Sequence, residues 1–227
     1  MIKTQSQKVN IDFEKNRYVS IPQVLEGRIL DFFYAYITLF ADRFEIIAND
    51  LPQYYNEYEH GWRSRKDPVA PHSFSKYGDM LADTLLLLMR ENIENRIGLK
   101  LIPTYGFFRL YKKGNDLKPH KDRPPCEISL SLCIGYEGEQ WPLYINGMPI
   151  YQERGDVVVY RGCEALHWRK PFIGKHHAQI FLHYVDKNGP YGKKYTYDSR
   201  PFIGLPTITG TTGVYQGTRY ENTKSES

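Results

Sequence analysis

The sequence has few cysteines, and their spacing excludes the common uses of this residue. Cys126, Cys133 and Cys163 are the three cysteines among 227 residues, and no two of them form a CxxC pair. An odd number without that spacing predicts neither a disulfide framework nor a thiolate metal site. Free, buried thiols in a reducing compartment are therefore expected.

Long apolar runs and a strong charge excess are also missing. The longest apolar stretch, LADTLLLLM, is far too short for a transmembrane helix, and the residues after Met1 are polar. The net charge of +4 falls short of the cationic surface typical of nucleic-acid-binding proteins. The sequence therefore predicts a cytoplasmic protein without a membrane segment and disfavours a nucleic-acid partner. It does not predict an oligomeric state.

Two stretches in the first half have helical periodicity. Apolar residues three and four apart predict a helix over about 24–47, after a strand-like YVSIP at 18–22. Strong helix formers predict a second helix from Met80 to Ile97, and Gly98 follows where a left-handed C-cap is needed. The stretch between the two is rich in Pro, Gly and polar aromatics, which predicts irregular loops of the kind that line sites.

After Gly98 the pattern changes to strands. Short runs of β-branched and aromatic residues are separated by turn residues: LIPTYGFFRLYKKG, CEISLSLCIGY, QWPLYING, DVVVYRG and AQIFLHYV. Helices followed by strands predict an α+β, mainly β fold, namely an antiparallel barrel or jelly roll buttressed by N-terminal helices. We assign helical support to about 18–98, a jelly-roll core to about 100–190 and a mobile polar tail to about 198–227, all in one domain.

One His-x-Asp motif and one later histidine form a candidate metal site. In an extended segment His120 and Asp122 point the same way and can bind one ion together. His167 follows the strand-like GDVVVYRG and can supply a third ligand. Two histidines and one carboxylate on one face leave open positions at a redox iron. Alone, the motif is also typical of a polar turn and His167 of a core histidine, but their order in the chain favours a metal site.

A longer resemblance adds to this pattern. RLYKKGNDLKPHKDR followed by GDVVVYRGCEALHWRKPFIGKHHAQIFLHYVD resembles the catalytic half of 2-oxoglutarate- and Fe(II)-dependent oxygenases, most of all prolyl 4-hydroxylase-type domains, over about residues 100–186. The resemblance implies a double-stranded β-helix that binds Fe(II), 2-oxoglutarate and O2, with iron held by His120, Asp122 and His167. Relatives that halogenate have a small residue at the position of Asp122. The expected reaction is therefore hydroxylation of a peptide, amino acid or small metabolite, with succinate and CO2 as co-products.

The resemblance also implies residues for the co-substrate. Relatives place a tyrosine hydroxyl on 2-oxoglutarate at the position of Tyr111, and a cation about ten residues after the distal histidine, where this chain has His177. The charge is therefore expected from elsewhere. Arg109 shares the strand face of Tyr111, and Lys175 shares the face of His177. Further candidates, for the substrate or for support of the metal ligands, are Arg169, Arg123 and Trp168.

Two other functions remain open from the sequence. Alkylation-repair relatives share the spacing of the tyrosine, the His-x-Asp motif and the distal histidine, so an oxidative nucleic-acid demethylase is an alternative. The small charge excess weighs against it. The second alternative is a non-catalytic, cupin-like binding module, against which the complete His/Asp/His set weighs.

Overall fold

The computed structural model describes residues 13–63, 67 and 69–205. Its helices include α1 (Arg28–Asp50), the short α2 (Glu57–His60) and α3 (Met80–Ile97). Its strands are β1 (Tyr18–Ile21), β2 (Trp62–Arg63), β3 (Phe74–Tyr77), β4 (Leu101–Lys112), β5 (Leu117–His120), β6 (Ile128–Glu137), β7 (Leu143–Ile145), β8 (Met148–Ile150), β9 (Val157–Arg161), β10 (His167–Arg169) and β11 (His176–Asp186). Across these ranges, no helix combines the length and apolar character needed to cross a membrane.

The strands form two antiparallel sheets that face each other. The larger sheet has the order β1-β9-β6-β11-β4-β3-β2, and the smaller one has the order β5-β10-β7-β8. Non-sequential neighbours in both sheets are typical of jelly rolls, in which long connections cross from one sheet to the other. The predicted α+β, mainly β jelly roll with N-terminal helices is confirmed.

Alternation along β11 separates the helix-facing core from the interior of the barrel. Ala178, Ile180 and Leu182 belong to the apolar cluster that α1 and α3 cover, whereas Phe181 belongs to the cluster between the two sheets. β4 pairs with β11 along its length and alternates in the same way. Because successive strand residues point to opposite faces, the odd-numbered residues of β4 from Tyr105 to Tyr111 and of β11 from His177 to His183 line the interior.

Helix α1 begins four residues later than the sequence predicts. The backbone N–H groups of Val24 and Leu25 donate to the carbonyl of Gly155, which holds this stretch outside the helix. Gly27 then precedes the helix with a positive φ of 57°. The apolar periodicity is confirmed, since Leu30, Phe33 and Ile37 are all buried, but tertiary hydrogen bonds set the helix start.

Helix α3 has the predicted bounds and the predicted C-cap, and an aspartate caps its N-terminus. Asp79 accepts hydrogen bonds from the N–H groups of Leu81 and Ala82, at 3.0 and 3.2 Å. Gly98 adopts a left-handed conformation, with φ 74° and ψ 13°. A residue with a Cβ resists that conformation, so glycine at this position stops the helix.

The start of the predicted tail differs from the structure. Residues 206–227 lie outside the described ranges, but Asp198 and Arg200 are held against the barrel. Nη1 of Arg200 donates to Oδ2 of Asp83 on α3 at 2.9 Å, and both side chains are fully buried. The sequence did not predict these contacts, because the partners of the two charges are distant in the chain.

Replacing Asp83 by Ala should lower the free energy of unfolding by about 3–5 kcal/mol, since it leaves the buried Arg200 guanidinium without its carboxylate. Asp83 also accepts the backbone N–H of Gly106 at 2.6 Å and of Gly204 at 2.8 Å. Urea denaturation measures the effect. The control is Asp42→Ala on the exposed side of α1, expected within about 0.5 kcal/mol of wild type; equal losses in the two variants would contradict the prediction.

Candidate metal centre

Three side chains converge where the two sheets meet. Nε2 of His120 and Nε2 of His167 each lie 3.5 Å from Oδ1 of Asp122, and the two imidazole rings are 4.2 Å apart. The potential ligand atoms of the three residues all lie within 4.8 Å of one another. His120 ends β5 and pairs in register with His167 on β10, so the smaller sheet brings the two histidines together.

The outer nitrogen of each histidine is fixed by the backbone. Nδ1 of His120 lies 2.7 Å from the carbonyl of Lys118, and Nδ1 of His167 lies 2.9 Å from the carbonyl of Ala165. A carbonyl only accepts, so the proton is placed on Nδ1, and Nε2 keeps a free electron pair directed at the centre. This is the tautomer that a metal ion requires.

Asp122 is charged in this environment. Burial opposes its ionisation, but the neighbouring histidines, His167 above all, outweigh burial, so the pKa of Asp122 lies well below its usual value. Burial likewise lowers the pKa of His167, and the neighbouring carboxylate reverses that effect and raises it. Two imidazoles and one carboxylate suit a first-row transition metal such as iron, with the remaining coordination positions open.

A serine and a further histidine lie next to the Asp122 carboxylate, at the oxygen that does not face the two other candidate ligands. Oγ of Ser129 donates to Oδ2 of Asp122 at 2.7 Å and lies 2.9 Å from Nδ1 of His183. Burial lowers the pKa of His183 to about 4, so this imidazole is neutral near pH 7. The sequence analysis missed both residues. Alternation on β6 and β11 could have placed them in the interior, but not against Asp122.

A cavity of about 270 Å³ opens next to the three ligands. Its wall is mainly apolar and includes the aromatic side chains of Tyr105, Phe107, Tyr111, Tyr160 and Phe181, all inward-facing strand residues. Its volume lies near the lower end of the range for small-molecule sites. The cavity therefore suits small ligands whose reacting atom lies close to the three converging side chains.

Two predicted co-substrate residues line this cavity. The hydroxyl of Tyr111 is buried and has no hydrogen-bond partner among the described residues. Arg109 lies beside it, with its guanidinium carbon 5.7 Å from the centre of the tyrosine ring. However, Nη2 of Arg109 already pairs with Oδ2 of Asp67 at 3.0 Å, and Nη1 donates to Oγ of Ser73 at 3.0 Å.

Arg169 is a second buried guanidinium, on the strand that carries His167. It pairs in register with Leu117 of the cavity wall and, like Tyr111, packs against the Trp141 ring. Its contacts are neutral: Nη1 donates to the carbonyl of Trp141, and Nη2 donates to Oε1 of Gln152 at 3.2 Å. Burial lowers the pKa of Arg169. Among the described residues it has no carboxylate partner, which distinguishes it from Arg109.

The other predicted residues lie in different surroundings. His177 is buried in the barrel against Trp141 and Phe172, and burial together with Arg169 holds its pKa well below the usual value, so it brings no charge. Lys175 lies outside the cavity, with a side chain that is 70% exposed and paired with Glu137. Trp168 stacks on Tyr144 on the opposite face of β10 from His167.

Arg123, the last predicted residue, lines the cavity next to the candidate metal ligands. Its two terminal nitrogens donate to the two oxygens of Asp198, at 2.8 and 2.7 Å. Its guanidinium carbon lies 4.8 Å from the centre of the Tyr105 ring. The sequence did not suggest that Asp198 reaches this site.

No protein-family model matches the chain, and no curated protein matches its sequence. Solved structures do match. They include a prolyl-4-hydroxylase of Pseudomonas putida, with 17% identity, a TM-score of 0.52 and 79% of this chain and 97% of that chain covered. The α-ketoglutarate-dependent carbocyclase SnoK of nogalamycin biosynthesis has 14% identity, a TM-score of 0.62 and coverage of 90% and 94%. EctD from S. alaskensis, solved with 2-oxoglutarate and 5-hydroxyectoine, has 13% identity, a TM-score of 0.58 and coverage of 93% and 90%.

The chain has the fold of 2-oxoglutarate- and Fe(II)-dependent oxygenases. The coverage includes the helices as well as the jelly roll. Identities of 13–17% support a shared architecture without a shared substrate.

Ser129→Ala should weaken Mn(II) binding at the candidate centre about tenfold to a hundredfold, because partners that orient a ligating carboxylate typically contribute that much. Titration followed by the EPR signal of free Mn(II) gives the affinity. The matched control is Ser131→Ala, which removes a buried hydroxyl two residues along β6 that donates to Gln179 instead. Wild-type affinity in Ser129→Ala would show that this serine does not support the carboxylate.

Proposed function

We propose that this chain is an Fe(II)- and 2-oxoglutarate-dependent oxygenase that hydroxylates a small molecule or a peptide. The observation that carries the proposal is the convergence of His120, Asp122 and His167 within 4.8 Å at the edge of an aromatic cavity. The donor set fits iron in type, tautomer and charge. The fold shared with known oxygenases of this kind supports the same function.

Bound Fe(II) and 2-oxoglutarate would supply the oxidising chemistry, with O2 consumed and succinate and CO2 released. The residues of the chain then do three things. His120, Asp122 and His167 would hold the metal at the edge of the cavity. The aromatic wall excludes water from the reacting atoms. Ser129 keeps the carboxylate oriented through its hydrogen bond to Oδ2.

Hydroxylation is proposed as the outcome because the Asp122 carboxylate occupies the coordination position that a halide would need. The matching structures include enzymes named for different oxidations, a prolyl hydroxylase and a carbocyclase among them. The same fold therefore accommodates several outcomes, and the outcome here depends on which C–H bond the cavity directs toward the metal.

We assign the far carboxylate of 2-oxoglutarate to Tyr111 and Arg169. Burying a carboxylate is costly unless a cation or hydroxyl groups accompany it. The Tyr111 hydroxyl is available, and the Arg169 charge is compensated only by neutral acceptors among the described residues. Arg109 is the alternative that the sequence favoured, but Asp67 already neutralises it, so its role is to pack beside Tyr111. Lys175 is too far outside the cavity to take part.

His120→Ala, Asp122→Ala and His167→Ala should each abolish succinate formation while the protein stays folded. All three side chains are needed to present the metal-binding face, whereas a polar turn would tolerate each change. Iron stoichiometry, circular dichroism and 2-oxoglutarate turnover are measured together. Normal turnover in any one variant would remove that residue from the ligand set.

Arg169→Ala should raise the Kd for 2-oxoglutarate by about tenfold to a hundredfold, as expected for a lost hydrogen bond to a charged group. Tyr111→Phe should raise it in the same direction. Calorimetry on the Mn(II)-loaded protein measures both, and Mn(II) affinity should stay unchanged. Lys175→Ala is the exposed control.

A rise in Kd caused by Arg109→Ala but not by Arg169→Ala would move the assignment to Arg109. Arg109→Ala leaves the buried Asp67 without its partner, so the stability of that variant is measured alongside its affinity.

A further inference from the structure

A segment near the end of the described chain is tied to Arg123, one of the residues that line the cavity. This strap, Gly192–Ser199, follows β11 and runs along β4. The carboxylate of Asp198, in the strap, accepts hydrogen bonds from both terminal nitrogens of Arg123 and from the hydroxyl of Tyr77, at 2.7–2.8 Å. Its side chain is 9% exposed. Three donors therefore surround one carboxylate at the edge of the cavity.

Arg123 needs an anion in this position. Its side chain is 17% exposed and lies against the ring of Tyr105, so losing a partner would leave a largely buried charge without compensation. Burial by itself raises the pKa of Asp198, yet the attraction of Arg123 outweighs burial and lowers it. A planar guanidinium fork with an added hydroxyl is a binding arrangement for any carboxylate, not for Asp198 alone.

The strap holds Asp198 there in a strained conformation. Tyr197, Asp198 and Ser199 have φ values of 53°, 55° and 62°, so three consecutive residues other than glycine lie in the left-handed region. L residues with a Cβ resist this region, and successive instances are found where tertiary contacts enforce them. Releasing Asp198 from Arg123 would relieve that strain.

The residues just after the strap are fixed. Arg200 is held by Asp83 and by the carbonyl of Thr104, and Gly204 donates to the same Asp83 carboxylate. The strained turn therefore joins a firmly anchored point to a segment whose Lys193 and Lys194 are exposed. The hydrogen bonds of Arg200 and Gly204 to Asp83 do not involve the strap and would remain if Asp198 left Arg123.

We propose that Arg123, with the Tyr77 hydroxyl, binds a carboxylate of the substrate, and that Asp198 occupies this position until the substrate displaces it and the strap opens. The reaction of the substrate at the metal rests on the proposed function, whereas the exchange of carboxylates at Arg123 does not. The inference identifies the substrate class as small molecules with a free carboxylate. The cavity of about 270 Å³ fits such a molecule better than a polymer.

Limited trypsin cleavage after Lys193 and Lys194 reports on opening of the strap under native conditions. Asp198→Asn should speed cleavage about tenfold, because a neutral amide holds the guanidinium more weakly than a carboxylate does. Ser199→Gly should slow cleavage about fivefold, since glycine accepts the left-handed conformation that serine resists. Asp186→Asn, the same change at the end of β11, is the control and should leave the rate unchanged. Equal rates in Asp198→Asn and Asp186→Asn would overturn the proposal.

Acetate is the probe for the carboxylate position itself. With 2-oxoglutarate saturating, acetate should raise the Tm of Asp198→Ala in a saturable way, because it fills the place of the missing carboxylate. Acetamide at equal concentration and sodium chloride at equal ionic strength should not raise the Tm of this variant. Acetate should not raise the Tm of the wild-type protein to a comparable extent. If acetate and chloride act alike on Asp198→Ala, Arg123 does not bind a free carboxylate and the proposal fails.

The substrate class is tested with pairs of candidate compounds that differ only in a carboxylate or its carboxamide. Acids should stimulate succinate release, and their amides should not; stimulation by the amides alone would contradict the inference. If no compound stimulates release and Fe(II) with 2-oxoglutarate forms no complex, the proposed oxygenase function fails instead. The trypsin and acetate experiments need no turnover and separate the two cases.

Discussion

The pairing of β11 with both β4 and β6 is the constraint on which the rest of the structure depends. These long antiparallel ladders fix the face on which each side chain lies, because a slip of one residue would exchange the two faces of a strand. One face supplies Ala178, Ile180 and Leu182 to the core under the helices. The other carries His177, Phe181 and His183 into the barrel. The cavity and its polar groups are therefore set by strand register.

Buried arginines show how the barrel interior is organised. Three of them are matched by aspartates from other parts of the chain: Arg109 by Asp67, Arg123 by Asp198 and Arg200 by Asp83. Each pair also joins distant parts of the chain. Asp67 holds β4 through Arg109, the strap holds the residue after Asp122 through Asp198, and Asp83 on α3 holds the segment after the strap through Arg200. Arg169 is held by neutral acceptors. Because an uncompensated buried charge is costly, we propose Arg169 as a partner of the far carboxylate of 2-oxoglutarate.

Much of the fold and the candidate metal centre could be predicted from the sequence, because these features depend on local patterns. Period-2 strands, the helix formers before Gly98 and the His-x-Asp spacing are all visible within a few residues. The predicted start of α1 was wrong because hydrogen bonds to the carbonyl of Gly155 override the helical spacing of the apolar residues. Ser129, His183 and Asp198 were missed because their roles depend on partners far away in the chain. The weight given to Arg109 over Arg169 has the same origin, since the pairing with Asp67 is a tertiary contact.

The most direct test of the central claim is the absorption spectrum of the protein with Fe(II) and 2-oxoglutarate under anaerobic conditions. Chelation of the metal by the co-substrate at a site formed by His120, Asp122 and His167 predicts a weak visible charge-transfer band. The band should need both additions, and it should be lost in Asp122→Ala and kept in the exposed control Lys175→Ala. No band in the wild-type protein, or the same band in Asp122→Ala, would contradict the account.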